Sequence, residues 1–132
     1  MAFYSDAETF LDVMKALFER LAQTPGATDE FARSKLIIHV KVSNPDAFIG
    51  LNARKQPIGF SFQPQAERPN ITLHLDADLL HAIWLGKVRL RDAFFGGKIK
   101  TEGSIFKALQ LASLFRQAEA LYPLVLKEKG LL

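Results

Sequence analysis

Hydrophobic positions along this chain of 132 residues change their period twice. In the first stretch Phe10, Met14, Leu17, Phe18 and Leu21 recur as one helical face, which predicts a helix from about Asp6 to Ala22. Ser5 and Glu8 form a Ser-x-x-Glu capping pattern at its start, and Thr24-Pro25-Gly26 stops it. The period then drops to two. Leu36, Ile38, Val40 and Val42 alternate with Lys35, Ile37, His39 and Lys41 until Asn44-Pro45. A weaker strand covers Ala47 to Ala53, because Gly50 and Asn52 suit strands poorly. Ile58, Phe60 and Phe62 form a third run and, past the loop Pro64 to Pro69, Ile71, Leu73 and Leu75 form a fourth. Short connections favour an antiparallel sheet with one buried face.

After the fourth strand the helical period returns. Asp76 or Asp78 caps a helix carrying Leu79, Leu80, Ile83 and Trp84, closed by Gly86. A short helical turn, Leu90 to Phe95, ends at Gly96-Gly97, and Lys98 to Gly103 reads as a fifth strand at the sheet edge. Ser104 then caps a last helix that runs to about Tyr122, where Pro123 is expected to end it. On a helical wheel the apolar side chains of this last helix cover roughly 240°, far more than the stripe needed to rest on a sheet. Only Lys107, Arg116 and Glu119 interrupt that arc. The surplus calls for another helix, another subunit or an apolar ligand.

Composition narrows the chemistry. Eleven of the fourteen aromatic residues are phenylalanine, which offers aromatic area with no polar handle. Cysteine is absent, which excludes disulfides, thiolate zinc sites, iron–sulfur clusters and thiol nucleophiles. No apolar run approaches the ~20 residues of a membrane span, and the N-terminus has no signal-peptide pattern. A single cytoplasmic domain, 1–132, is therefore expected. The net charge of +3 is concentrated: from Gly86 to Lys107 six cations (Lys87, Arg89, Arg91, Lys98, Lys100, Lys107) face only Asp92 and Glu102. That segment suits phosphates on a membrane surface or an acidic ligand, or is simply solvated surface, and the overall charge is too small to make nucleic acid the leading partner.

Catalytic motifs are missing. His39, His74 and His81 lack helical metal-ligand spacing, and the first two fall opposite the aliphatic registers, so they are expected at the surface. Asp76-Ala77-Asp78 is explained by helix capping. Gly96-Gly97-Lys98 precedes a strand and not the helix that would bind a phosphate. Neither an enzyme, a metal nor a cofactor is indicated.

One stretch carries a resemblance. Asp92-Ala93-Phe94-Phe95-Gly96-Gly97-Lys98-Ile99-Lys100-Thr101-Glu102-Gly103-Ser104, placed between a capped helix and a closing helix, resembles the sterol carrier protein-2 (SCP2) family of lipid-binding domains. Residues 71–115 match well and about 35–121 loosely. Thr101 departs from the aliphatic residue common there, and Lys129-Gly130-Leu131-Leu132 is not a peroxisomal signal, as in a stand-alone bacterial member. The resemblance implies an α+β fold, a five-stranded, mainly antiparallel sheet covered by helices, with an apolar tunnel between the layers. It also implies non-catalytic carriage of a fatty acid, acyl-CoA, sterol or isoprenoid quinone intermediate. No ligand-contact motif transfers by correspondence, so the candidate liners come from the strand and wheel patterns: Phe60, Phe62, Trp84, Phe94, Phe106, Leu109, Leu111 and Phe115. Lys87, Arg89 and Lys98 are the candidates for a headgroup or a transient membrane contact. Two alternatives stay open: an interaction or homodimerisation module using the apolar last helix, and a small isomerase-type enzyme of the cone-shaped ketosteroid-isomerase kind. The helical C-terminus counts against the latter.

Overall fold

The computed structural model describes residues 2–64 and 66–132; Met1, and Gln65 in the Pro64–Pro69 loop, lie outside the described residues. Helices α1 (Ala7–Gln23) and α2 (Asp29–Ser34) precede strands β1 (Ile37–Ser43), β2 (Ala47–Asn52), β3 (Gly59–Ser61) and β4 (Ile71–Asp76). Helices α3 (Ala77–Trp84) and α4 (Leu90–Phe95), strand β5 (Lys100–Glu102), a short α5 (Ile105–Ala108) and α6 (Ala112–Glu128) complete the chain. A single 3-10 turn, Leu109–Leu111, joins α5 to α6.

The sheet order is β3-β2-β1-β4-β5. Three of its four pairings are antiparallel, and β1 with β4 is parallel because β4 returns past the β2–β3 hairpin to the far side of β1. The registers align Ile38 with Leu51 and Ile71, and Val40 with Ile49 and Leu73. Alternate residues of three strands therefore form one aliphatic face, and all six of these side chains are buried. Two glycines are required at the β5 connections. Gly97 takes φ +75° to turn out of α4, and Gly103 takes φ +109°, where an added Cβ would lie 2.9 Å from the Asn70 carbonyl oxygen.

Four sequence expectations are corrected. The N-cap of α1 is Asp6, whose carboxylate accepts from the Thr9 amide at 2.7 Å, and not Ser5. Helix α2 was not anticipated, since six residues with one buried side chain, Phe31, generate no periodic pattern. His39 is buried, not surface-lying: the ring of Phe48 folds over Gly50, 3.1 Å from where a Cβ would be, and meets the His39 ring edge-on at 5.0 Å. Finally, α6 runs through Pro123 to Glu128. An interior proline costs about 3 kcal/mol, but the unbonded carbonyl belongs to Glu119, a solvent-exposed residue where water can replace the lost donor. Burying Val125 and Leu126 beyond it returns about 1.5–3 kcal/mol each. Ion pairs from Arg20 to Glu128 (2.6 Å) and from Lys129 to Asp12 (3.0 Å) tie the same turns to α1.

The expected 105–122 helix is divided by the 3-10 turn, so its wide apolar arc is shared among α5, the turn and α6, and α6 itself buries one stripe of six residues against other helices of the same chain. Helices α1, α2, α3 and α4 all lie against α6. A polar chain seals this packing: Tyr4 bonds Tyr122 through their hydroxyls, and Tyr122 bonds His81 Nδ1 at 2.7 Å. With neutral His81 accepting at Nδ1, Tyr4 donates to Tyr122 and Tyr122 donates to His81, so both hydroxyl protons are satisfied. Phe3 stacks on His81 with ring centres 3.8 Å apart, and its amide donates to Asp78 at 2.9 Å. Asp76 caps α3 through the Leu79 amide, so the two aspartates divide capping and anchoring between them. Burial pushes the Tyr4 hydroxyl up to about 12, raises Tyr122 as well, and holds His81 and His39 below the usual histidine value.

Two outcomes follow from this polar packing. Tyr122→Phe strands the Tyr4 hydroxyl and His81, and should lower the unfolding free energy by about 1–3 kcal/mol in a denaturant titration. Because both histidines protonate less readily folded than unfolded, the unfolded chain binds more protons as pH falls below about 6.5. Stability is then complete above that pH and declines toward pH 5. A His39→Gln/His81→Gln chain should show a flatter pH dependence in that window, and an unchanged slope would refute the assignment.

Candidate functional site

Aromatic side chains from four elements and the loop after β3 meet in one column. Phe18 of α1 lies 4.9 Å from Phe60 of β3 and 6.0 Å from Phe62 just beyond it, measured between ring centres. On its other side Phe18 meets Trp84 of α3 at 6.2 Å, and Trp84 meets Phe115 at 5.2 Å and Tyr122 at 5.4 Å, both of α6. Four predicted liners, Phe60, Phe62, Trp84 and Phe115, are thereby brought together. Phe18, which the sequence explained fully as helix packing, is the ring that joins them. Trp84 is 1% exposed, and its indole Nε1–H has no hydrogen-bond partner among the described residues. Thr101 Oγ1 and Ser113 Oγ are likewise buried without a partner among the described residues.

Phe115 also belongs to a groove. The surface between the α3–α4 connection and α6 encloses about 410 Å³, floored by Ile83, Val88, Leu90, Ala112 and Phe115 and rimmed by Arg89, Arg91, Arg116 and Glu119. Gly86 forms part of its wall; a Cβ there would meet the Glu119 carboxylate at 2.7 Å. The groove thus has apolar depth, three guanidinium groups at its mouth, and the aromatic column behind Phe115. Two other surface grooves have different chemistry. One of 560 Å³ beside α1 is lined by Asp6, Glu8 and Asp12, and one of 430 Å³ beside α2 is lined mainly by polar side chains such as Glu30, Arg33 and Gln110.

The remaining predicted residues lie elsewhere. Phe94 and Leu111 are buried in the packed core. Leu109 is half-buried beside a separate groove with Glu30, Gln110 and Arg116. Phe106 is 75% exposed and points away from the core, against Phe95. Of the three predicted cations, Arg89 lines the arginine-rimmed groove, while Lys87 and Lys98 are exposed outside its lining. Arg91 and Arg116 were not singled out. The available signal was Arg116 with Glu119, the charged pair that interrupts the apolar arc of the last helix one turn apart.

Among the described residues no helix is long and apolar enough to cross a membrane, and no cluster of three or more His, Cys, Asp or Glu side chains could hold a metal ion. Comparison with known proteins places these features in context. The family model described as SCP-2 sterol transfer family matches residues 14–116. By sequence, no curated protein matches the chain. Among solved structures, the sterol carrier protein domain 2 of Helicoverpa armigera is 27% identical with a TM-score of 0.63, over 81% of this chain and 85% of that one. Palmitated SCP2L2 from Aedes aegypti is 20% identical with a TM-score of 0.57, over 75% and 90%. An inverting sec-alkylsulfatase from Pseudomonas sp. is 20% identical with a TM-score of 0.55, over 66% of this chain but 14% of its own, so the fold also occurs as one part of a larger enzyme. The last two likenesses establish the fold alone.

Trp84 is the chain's one tryptophan, which makes its surroundings observable. Its emission should be blue and shielded from a soluble quencher, and Phe115→Ala should shift it red and expose it by opening the groove floor. An unshielded wild-type indole, or a Phe115→Ala spectrum identical to wild type, would separate the groove from the aromatic column.

Proposed function

The chain belongs to the SCP-2 sterol transfer family, and from that premise we propose that it binds and carries, unchanged, an elongated apolar lipid with an anionic headgroup. The observation that carries this reading is the arginine-rimmed groove backed by the aromatic column. Its volume of about 410 Å³ falls in the range, about 300–1,000 Å³, of small-molecule sites. Arg89, Arg91 and Arg116 present planar forks of donors that match carboxylate and phosphate oxygens and hold their charge at any physiological pH. Below them the floor is wholly apolar. A tail lying on Ile83, Val88, Leu90, Ala112 and Phe115 exchanges water for apolar side chains, and a movement of Phe115 would bring it to Trp84, packed 5.2 Å behind. At about 0.8 kcal/mol per buried methylene, ten contribute roughly 8 kcal/mol before the cost of ordering the chain.

The rim discriminates among lipid classes. A sterol hydroxyl or a quinone carbonyl needs one hydrogen bond and no charge, so three arginines around it would be poorly used. A fatty acid or an acyl thioester of a phosphorylated carrier uses them fully. The likeness to a palmitated structure from Aedes aegypti supports an acyl chain as cargo. Trp84 Nε1 offers a donor to any oxygen that reaches the column. Carriage without reaction fits the rim chemistry, because guanidinium groups bind anions but do not exchange protons near neutral pH.

A fluorescent fatty acid should bind with micromolar affinity and quench Trp84, and lipid recovered after incubation should be chemically intact by mass spectrometry. Charge-assisted hydrogen bonds contribute about 1.5–3 kcal/mol each, so Arg89→Gln/Arg116→Gln should weaken fatty-acid binding at least about tenfold. Sterol binding should respond far less. A chain that ignores fatty acid, acyl-CoA, sterol and quinone alike would sink the carrier reading, and equal loss for sterol and fatty acid would remove the headgroup role from the arginines.

A further inference from the structure

Four large hydrophobic side chains stand largely exposed among the described residues, and two of them touch. Phe95 (50% exposed) closes α4 and Phe106 (75% exposed) opens α5, yet their rings meet edge-on with centres 6.2 Å apart. Core packing does not account for them, since the buried neighbours on the same elements are Ala93, Phe94 and Ala108. Both lie on the basic segment identified from the sequence. The Arg91 guanidinium sits 5.4 Å from the Phe95 ring centre, one helical turn back on α4. Lys98, just past the Gly96-Gly97 turn, and Lys107, next to Phe106, are exposed and take part in none of the salt bridges found among the described residues. Of the two acidic residues of the segment, Glu102 is engaged by His74 at 2.6 Å, and Asp92 is exposed on α4.

We propose that this corner, Phe95 and Phe106 flanked by Arg91, Lys98 and Lys107, is a docking surface for an anionic lipid bilayer. Two exposed aromatic rings suit the interfacial region of a bilayer, and cations beside them meet lipid phosphates. Charge complementarity selects this occupant over a second copy of the chain. Two copies joined at this corner would bring two segments of net +4 together, whereas an anionic surface neutralises one. The surface shares Arg91 with the groove rim but does not depend on what fills the groove. It does place the groove mouth next to the bilayer, because α4 contributes Leu90 and Arg91 to the groove and Phe95 to the corner.

Vesicle co-sedimentation tests it with the full chain. Vesicles of phosphatidylcholine mixed with phosphatidylglycerol should retain the protein at least about tenfold more than phosphatidylcholine alone, and added salt should reduce the difference. Phe95→Ser/Phe106→Ser should lower retention about tenfold. Arg91→Gln/Lys98→Gln/Lys107→Gln should abolish the preference for phosphatidylglycerol. Phe106→Ser alone, at the most exposed position, serves where the double variant loses its fold. Equal retention on both vesicle types, or retention that ignores these substitutions, overturns the proposal. So does a concentration-dependent rise in molecular mass that the phenylalanine variants abolish, which would make the corner an interface between copies. Fluorescent fatty-acid binding should survive in the phenylalanine variants, so failure of docking and failure of carriage are read separately.

Discussion

Helix α6 buries one stripe, Leu114, Phe115, Ala118, Tyr122, Val125 and Leu126, and that stripe leaves water only where several neighbours meet it at once. Helices α1, α2, α3 and α4 do so here, and much of the structure is set by that enclosure. It explains why α6 continues through Pro123: stopping there would expose Val125 and Leu126, which fill space against α1. It explains the polar chain from Tyr4 through Tyr122 to His81 as well. Tyr122 occupies a position on α6 that is 0% exposed, and its hydroxyl must find partners inside. The partners come from α3 and from the N-terminal segment, which is thereby fastened across the helices. Trp84 packs on Phe115 and Tyr122 of α6, and its nitrogen has no hydrogen-bond partner among the described residues.

Patterns that depend on local repetition were legible in the sequence. The alternation of Ile38, Val40 and Val42 and of Ile71, Leu73 and Leu75 marked the central strands, and the stretch from Asp92 to Ser104 pointed to the fold. Features that depend on what lies across the chain were not legible. His39 alternates with aliphatic residues and reads as surface, yet Phe48 from the neighbouring strand covers it. Phe18 belongs to a regular helical face, and nothing local distinguishes it from Phe10, although only Phe18 bridges β3 to α3. The parallel pairing of β1 with β4 is a matter of topology, which short loops do not encode.

The candidate site shows the same division at finer scale. Hydrophobic patterning picked out Phe60, Phe62, Trp84 and Phe115 because liners of an apolar column are also good strand and helix residues. It placed Phe106 with them for the same reason, and the helix geometry turns that ring outward. Charge patterning pointed to the segment that supplies Arg89 and Arg91, but not to which of its cations line the groove. Lys87 and Lys98 are as basic as Arg89, and only the fold of the α3–α4 connection decides which side chains line a groove. Arg116 joins them from 27 residues away along the chain, where it looked like an interruption of an apolar arc.

Helix α4 links the two surfaces by its geometry. Six residues long, it sends Leu90, Ala93 and Phe94 inward and leaves Arg91 and Phe95, one turn apart, on the outside. It has no side-chain N-cap, and its end is fixed by Gly97 at a backbone angle other residues resist, so packing and not helix propensity sets its tilt. Any shift in that packing moves Arg91 and Phe95 together. Arg91 is claimed by the groove rim and by the Phe95 ring alike, and a guanidinium engaged with a bilayer phosphate has fewer donors left for a ligand headgroup. Under the proposed carriage and docking, two anions would compete for this one arginine, and the contact that brings the groove to a bilayer would also loosen its hold on a cargo.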